Sequence, residues 1–179
     1  MKKPARFAIL FIVGCAAAAA GVYFNIRQDV IPLTSTTNNA LFAVSLPDAN
    51  GQSQSMAQWK GKVLVVNFWA TWCTPCLKEI PDLIKIHTAT SAKNVQIVGI
   101  ALDSFDNVRQ FSRSHAVPYP LLIGTLDTME LLKNLGNNSG ALPYTVIIGT
   151  DGIVAERHLG ALTEAQLMGK LAKYLPGTL

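Results

Sequence analysis

The sequence predicts an α/β domain with a mixed β-sheet, preceded by an apolar N-terminal segment. Strand-like and helix-like segments alternate through most of the chain, and an Asp-Gly turn joins two apolar runs near its end. Near the N-terminus, twenty consecutive residues are uncharged. At 179 residues the chain has room for one domain of ordinary size beside that segment.

Residues 1–27 are interpreted as a transmembrane anchor or signal segment. The uncharged stretch from Phe7 to Ile26 would span about 30 Å as a helix, which matches the hydrocarbon thickness of a bilayer. Lys2, Lys3 and Arg6 precede it, and positive charge stays on the cytoplasmic side. We therefore expect a single-pass protein of the inner (cytoplasmic) membrane, with its domain facing the periplasm or cell exterior.

Two alternatives concern the fate of this segment after export. The basic start and the small residues from Ala16 to Ala20 also fit a cleavable signal peptide. The run that ends at Cys15 resembles a lipoprotein cleavage box, in which Cys15 would carry lipid. The apolar continuation from Gly21 to Phe24 argues against lipidation. A retained anchor is the favoured interpretation.

Residues 28–40 are interpreted as a linker and residues 41–179 as the folded domain. The linker is polar and contains Pro32, so it cannot bury enough apolar surface to fold alone. The formal charge is +4, but three basic residues precede the apolar segment, which leaves 12 basic and 11 acidic residues. This balance gives no indication of nucleic-acid binding.

The first half of the domain contains an edge strand candidate and a strand–helix unit. Phe42 to Leu46 alternates like an edge strand before a turn. Val63 to Trp69 is apolar except for Asn67, as expected of a central strand buried on both faces. The following helix is predicted from apolar residues three or four apart, and Pro81 is expected to kink it. These residues are Leu77, Ile80, Leu83, Ile84 and His87.

The second half alternates in the same way. Val95 to Leu102 predicts a second buried strand, and Asp106 is expected to cap the next helix. Leu121 to Ile123 predicts a short strand, followed by a helical pattern that stops at Gly136.

The C-terminal part is predicted to form a hairpin and a last helix. Two apolar runs, Thr145 to Ile148 and Ile153 to His158, flank Asp151-Gly152. Thr163 and Gln166 form a capping box for the last helix. The hairpin makes the predicted sheet mixed rather than purely parallel.

Two of the three cysteines, Cys73 and Cys76, lie between the buried strand and its helix. A thiolate at a helix N-terminus meets unpaired N–H groups, which can lower its pKa from about 8.5 to between about 3.5 and 7.5. Cys73 is therefore expected to attack, and Cys76 to resolve the mixed disulfide. Pro75 suits the first helical turn. The pair in this position predicts thiol–disulfide exchange.

Other uses of the cysteine pair remain open. A structural disulfide closing so short a loop would restrain the unfolded chain little. Two thiolates could hold a soft ion such as Cu(I), with His87 or His115 as helpers, although no second Cys-x-x-Cys is present. Haem attachment needs His directly after the second cysteine, where this chain has Leu77.

The sequence resembles the TlpA-like branch of membrane-anchored thioredoxin-fold reductases, which includes the ResA/CcmG-type cytochrome c maturation reductases. The resemblance extends from Phe42 to about Tyr174 and is most specific from Gly61 to Cys76. Further matches are Glu79, Pro81, Val98 to Asp103, Val117 to Pro120, Leu142 to Thr145 and Asp151-Gly152. It implies a thioredoxin fold, a central mixed sheet flanked by helices, with an N-terminal strand extension and a central insertion.

The resemblance also implies a substrate groove beside the cysteines. Pro143 is the counterpart of a proline with a cis peptide bond, and it would shape the groove where a partner's backbone docks as an added strand. Trp72, Thr74 and Pro75 are expected to contact the substrate there.

One departure from thioredoxins proper concerns protons. Thioredoxins bury an aspartate in the strand before the cysteines, where this chain has Asn67. TlpA-like proteins commonly carry a glutamate three residues after the second cysteine, which is Glu79 here. By this resemblance Glu79 is expected to modulate proton transfer.

The expected partners and alternatives follow from the same resemblance. It implies oxidised protein substrates, a transmembrane electron donor of the DsbD or CcdA type, no dissociable cofactor and no metal. Electrons would pass to apocytochrome c, a copper-site assembly factor or another oxidised protein. A peroxiredoxin-like peroxidase is the enzyme alternative, but its Pro-x-x-x-Thr-x-x-Cys pattern needs Thr where this chain has Ala70.

Overall fold

The computed structural model describes residues 40–175, which form two β-sheets. A small antiparallel sheet pairs β1 with β2, and a larger sheet has the strand order β5-β4-β3-β6-β7. The strands are β1 (Ser45–Pro47), β2 (Ser53–Ser55), β3 (Val63–Trp69), β4 (Val95–Ala101), β5 (Leu121–Ile123), β6 (Tyr144–Ile148) and β7 (Val154–Leu159). Strands β3, β4 and β5 are parallel, whereas β6 runs antiparallel to both of its neighbours.

Helices cover both faces of the larger sheet. They are α1 (Thr74–Thr90), α2 (Phe105–His115), α3 (Thr128–Asn134) and α4 (Glu164–Leu171), with short 3₁₀ turns at Met56–Trp59, Ser91–Lys93 and Ala172–Tyr174. One apolar core lies under α1, α2 and α4. The second core joins α3 to the residues around β1. This mixed sheet between helices is the predicted α/β thioredoxin fold, and β1 and β2 form a small sheet that precedes it in the chain.

Strand β3 is the middle strand of the larger sheet, and all seven of its residues are buried. Val65 and Trp69 pack into the core under α1, while Leu64, Val66 and Phe68 pack into the core on the other face. The continuous apolar run therefore fills two cores at once, as predicted.

The N-terminal edge strand is shorter than predicted. Residues 40–43 are helical, and β1 covers only Ser45–Pro47. Leu41 and Phe42 are both buried in the same core. Because successive side chains of a strand point to opposite faces, two adjacent residues can enter one core only if the backbone is not extended.

Two details of the predicted helices also differ. Helix α1 runs through Pro81 to Thr90, as predicted, but it buries Cys76 and Ile86 while Leu77 is exposed. Helix α2 is capped by Ser104, whose hydroxyl accepts a hydrogen bond from the Asn107 amide at 3.3 Å. The predicted cap, Asp106, lies instead in the first turn of α2. The capping box of Thr163 and Gln166 is present at α4 as predicted.

The expected anchor (residues 1–27, with Cys15) and nearly all of the expected linker (residues 28–39) lie outside the described residues. Within residues 40–175, no helix has both the length and the apolar character needed to cross a membrane.

The strand directions place many segments at one edge of the sheet. Strands β3, β4, β5 and β7 end at this edge, and β6 begins there. The segments that follow β3 and precede β6 are therefore neighbours, and they carry the cysteine pair and Pro143.

Candidate active site

The disulfide between Cys73 and Cys76 occupies the N-terminus of α1. Cys73 is the N-cap residue, and its sulfur accepts a hydrogen bond from the Cys76 amide at 3.3 Å. Cys73 is 5% exposed and Cys76 is fully buried. When the pair is reduced, the same amide and the positive end of the helix would stabilise a thiolate at Cys73. The two sulfurs thus differ in both access and electrostatic surroundings.

The residues expected to form a substrate groove lie at the same edge as the disulfide. The Leu142–Pro143 peptide bond is cis and directly precedes β6, the antiparallel neighbour of β3. Pro143 is buried and accepts a hydrogen bond from the Gly160 amide at 2.9 Å through its carbonyl oxygen. Trp72 is 68% exposed, and Thr74 and Pro75 are also exposed.

Glu79 is buried, with only 2% of its surface exposed. Its Oε1 accepts a hydrogen bond from Asn67 Nδ2 at 2.7 Å, and its Oε2 accepts one from the Leu162 amide at 2.9 Å. Asn67 Nδ2 also donates to Thr145 Oγ1 at 3.1 Å. The carboxylate therefore links α1 to β3, to the segment before α4 and, through Asn67, to β6.

Burial raises the pKa of Glu79, although the hydrogen bonds from Leu162 and Asn67 partly oppose the shift. A carboxyl group of this kind can hold a proton at a pH where an exposed glutamate is ionised. Burial also raises the pKa of Tyr119, and the negative charge of Glu79 adds to that shift. Glu79 lies one helical turn beyond Cys76, so its charge would also disfavour a thiolate there.

The sequence analysis places Glu79 near the cysteines but predicts neither its burial nor its contact with Asn67. The burial of Glu79 does have a signal in the sequence, because residues three, four and seven apart share one helix face. The buried residues with this spacing are Cys76, Glu79, Ile80 and Leu83. The apolar helix face predicted from the sequence begins instead at Leu77, which lies one residue away from the buried face.

Asp103 holds the loop before Cys73, a role that the sequence analysis did not assign. Its Oδ2 accepts hydrogen bonds from the Thr71 amide at 2.9 Å and from the Thr71 hydroxyl. Its Oδ1 accepts from the Ser104 amide at 2.7 Å and from Asn107 Nδ2 at 2.8 Å. Burial favours the neutral acid, but these hydrogen bonds outweigh it and lower the pKa of Asp103.

Among residues 40–175, no three His, Cys, Asp or Glu side chains are grouped as a metal site would require. The two histidines considered as helpers for a soft ion make ring contacts instead. His87 lies 5.8 Å from the Tyr119 ring, and His115 stacks on Phe111 at 3.9 Å.

Comparison with known proteins identifies the family. Residues 37–157 match the AhpC/TSA family model. The chain belongs to the AhpC/TSA family. A thiol-disulfide oxidoreductase ResA of Bacillus cereus is 30% identical over 172 residues, which are 94% of each chain. The thioredoxin-like protein YneN of Bacillus subtilis is 30% identical over 131 residues, 71% of this chain and 74% of the relative.

A solved structure agrees with these relatives. A thiol:disulfide interchange protein of the thioredoxin family from Chlorobium tepidum is 29% identical and has a TM-score of 0.64. The match covers 75% of this chain and 93% of that one. With the cysteine pair in place, these similarities make the chain a thiol-disulfide oxidoreductase of the ResA-like, thioredoxin-fold group.

Proposed function

We propose that this chain reduces disulfides in exported proteins, with Cys73 as nucleophile and Cys76 as resolving thiol, while residues 1–27 anchor it in the inner membrane. The observation that best supports the roles of the thiols is their asymmetry. Cys73 is the N-cap residue of α1 and its sulfur accepts a hydrogen bond from the Cys76 amide, whereas Cys76 is fully buried. A substrate disulfide can approach only the first of these sulfurs.

The reaction begins with the reduced pair. The Cys73 thiolate attacks one sulfur of the substrate disulfide, so a mixed disulfide forms and one substrate thiolate leaves. Cys76 then loses its proton and attacks the Cys73 sulfur, which releases the second substrate thiolate. The substrate gains two electrons, and the enzyme is left with the Cys73–Cys76 disulfide that the structure contains.

Glu79 is proposed to accept the Cys76 proton in the second step. It lies one turn along α1 from Cys76, and its raised pKa lets it hold a proton in the interior. Asn67 and the Leu162 amide orient both carboxylate oxygens, which keeps the acceptor in one position.

The substrate is proposed to dock between the disulfide and Pro143. Trp72, Thr74 and Pro75 present exposed surface on one side, and the cis peptide at Pro143 borders the other. An extended backbone could add there as a strand.

The enzyme must be reduced again by another dithiol. We assign this step to a transmembrane donor of the DsbD or CcdA type, because the proposed anchor would hold the domain outside the cytoplasm. Apocytochrome c and copper-site assembly factors are the proposed acceptors, in line with the resemblance to cytochrome c maturation reductases.

A peroxidase is the second candidate, because the matching family model carries the AhpC/TSA name. The relatives named thiol-disulfide oxidoreductases favour disulfide exchange, as does Ala70 at the position where the peroxiredoxin pattern has Thr. Consumption of hydrogen peroxide by the reduced protein at a rate matching disulfide reduction would favour the peroxidase instead.

The reduction potential tests the proposed direction. Thr74 and Pro75 place neither a cation nor a histidine between the cysteines. We therefore expect a potential closer to that of thioredoxin, about −270 mV, than to that of DsbA, about −120 mV. Equilibration with a reference thioredoxin measures it, and a value near the DsbA end would contradict a reductase.

A further inference from the structure

The edge of the larger sheet opposite the disulfide carries a group of lysines. Strands β3 and β4 begin at this edge, and the turn between β6 and β7 lies there as well. Lys60 and Lys62 precede β3, and Lys93 precedes β4. Within residues 40–175, none of these three lysines forms a salt bridge. Their charges are therefore available to an anionic partner.

A hydrogen bond holds the two lysine segments together. Asn94 Nδ2 donates to the Gly61 carbonyl oxygen at 3.1 Å. Gly61 lies between Lys60 and Lys62, and Asn94 directly follows Lys93. Lys60 and Lys93 are exposed, and Lys62 is half-buried. The three cations are thus grouped at one end of the domain.

The same end of the domain presents an exposed apolar side chain. Ile153, in the turn between β6 and β7, is 45% exposed. Its neighbour Gly152 lies against Phe42, because a Cβ at Gly152 would be 3.4 Å from the Phe42 ring. The Lys60 ammonium lies 5.5 Å from the centre of that ring. Phe42 therefore connects the lysines to Ile153, and apolar side chains beside lysines are typical of surfaces that bind at a lipid interface.

The loops at the disulfide edge have the opposite charge. The loops and first helical turns that follow β4 and β5 contain four acidic residues and no lysine or arginine. These are Asp103, Asp106, Asp127 and Glu130. The loops before β3 and β4 and the turn between β6 and β7 contain a single acidic residue, Asp151. An anionic surface therefore attracts the lysine edge and repels these loops.

We propose that Lys60, Lys62, Lys93 and Ile153 form a basic face that lies against anionic lipid headgroups of the membrane to which residues 1–27 are proposed to attach. This inference rests on that part of the proposed function. Each lysine near an anionic bilayer strengthens binding about fivefold. Because an anchor would keep the domain at a high effective concentration near the lipid, a few such charges are enough to hold the face there.

The basic face determines which way the disulfide points. Strand β3 has seven residues, so at about 3.3 Å per residue it separates the two edges by about 20 Å. A domain that lies on its basic face presents Cys73 to exported proteins. A donor within the membrane reaches the disulfide only when the face is released from the lipid.

Acetylation of individual lysines tests the basic face. The full-length chain is placed in nanodiscs of phosphatidylcholine or of phosphatidylglycerol, and mass spectrometry follows the reaction of each lysine at low salt. Lys60, Lys62 and Lys93 should react about fivefold more slowly in the anionic discs. Lys78 and Lys133, exposed on α1 and α3, should react equally in both. In about 1 M salt, which screens charges beyond about 3 Å, the difference should disappear.

A pair of charge-matched variants sharpens the test. Asp151→Asn removes the acidic residue of the turn but keeps an oxygen that can accept the Ile153 amide. It should increase the protection of the three lysines about fivefold in the anionic discs. Asp127→Asn, after β5, makes the same change of charge at the disulfide edge and should leave the protection unchanged. Both variants should reduce glutathione disulfide as the wild type does.

Equal acetylation of the basic face in both kinds of disc would overturn the inference. Equal protection of Lys78 and Lys133, or equal effects of the two asparagine variants, would also overturn it. Protection by soluble polyglutamate but not by anionic discs would assign the face to an acidic protein instead.

Failure of the proposed function has different signs. A chain that does not associate with neutral discs would contradict the anchor, and a chain that does not reduce glutathione disulfide would contradict the reductase. Neither result alters the protection that the basic face requires in anionic discs.

Discussion

Substitution of Glu79 by glutamine tests the buried hydrogen bonds that join this side chain to Asn67 and Leu162. Both carboxylate oxygens accept hydrogen bonds, one from Asn67 and one from the Leu162 amide. Glutamine has a single acceptor oxygen, so its own NH₂ group would face one of these two donors. An unsatisfied buried donor costs about 1 to 3 kcal/mol. Near pH 4 the folded protein holds Glu79 in its neutral form, whose carbonyl and hydroxyl oxygens can each still accept one of these bonds. We expect the free energy of unfolding of the glutamine variant to be lower by about that amount at this pH.

The loss should shrink as the pH rises. Because burial raises the pKa of Glu79, the folded protein binds this proton more tightly than the unfolded chain does, where glutamate has a pKa of about 4.3. Between that value and the raised folded-state pKa, the wild-type free energy of unfolding therefore decreases with increasing pH. Glutamine does not titrate, so the difference between wild type and variant narrows over the same interval.

Urea unfolding of the oxidised protein at several pH values from 4 to 8 measures this difference. Glu130→Gln, on the exposed side of α3, is the matched control and should change stability by less than about 0.5 kcal/mol. In the reduced protein, alkylation should also show a lower pKa for Cys76 in Glu79→Gln, since a nearby negative charge is removed. A difference in stability that stays constant with pH would refute the raised pKa, and one below about 0.5 kcal/mol would refute the two buried hydrogen bonds.

Two further predictions concern the loop before Cys73 and the N-terminal segment. Thr71→Val removes the hydrogen bond from the Thr71 hydroxyl to Asp103, so it should lower the free energy of unfolding by about 0.5 to 1.5 kcal/mol and slow disulfide reduction. Thr125→Val, at an exposed threonine, is the control. Equal effects of both variants in urea unfolding and turnover assays would contradict the role of this bond. The full-length chain should remain in the membrane fraction after carbonate washing, with an intact mass that includes residues 1–27. A soluble species beginning near Gly21, or a lipid-modified one beginning at Cys15, would show that the anchor is wrong.

The cysteine pair and the central strand could be predicted because their signals are local. The run from Val63 to Trp69 has the composition of a strand buried on both faces, and the cysteines follow it directly. The position of Pro143 came from family resemblance, and no spacing in the chain would have revealed its cis peptide bond.

The buried polar contacts could not be predicted because they join residues far apart in the chain. Asn67 and Glu79 are separated by 12 residues, and Glu79 and Leu162 by 83. The sequence analysis predicts a role in proton transfer for Glu79, and the structure adds that the side chain is buried between two donors. Asp103 and Thr71, 32 residues apart, meet because β3 and β4 are parallel and end at the same edge.

Trapping of covalent partners tests the central claim most directly. The reduced Cys76→Ser and Cys73→Ser variants are each incubated with an oxidised protein substrate, quenched with acid and analysed by mass spectrometry. Cys76→Ser should accumulate a mixed disulfide at Cys73, because no thiol remains to resolve it. Cys73→Ser should accumulate little, because Cys76 is fully buried. A stronger trap in Cys73→Ser would reverse the two roles, and no mixed disulfide in either variant would contradict thiol–disulfide exchange by this pair.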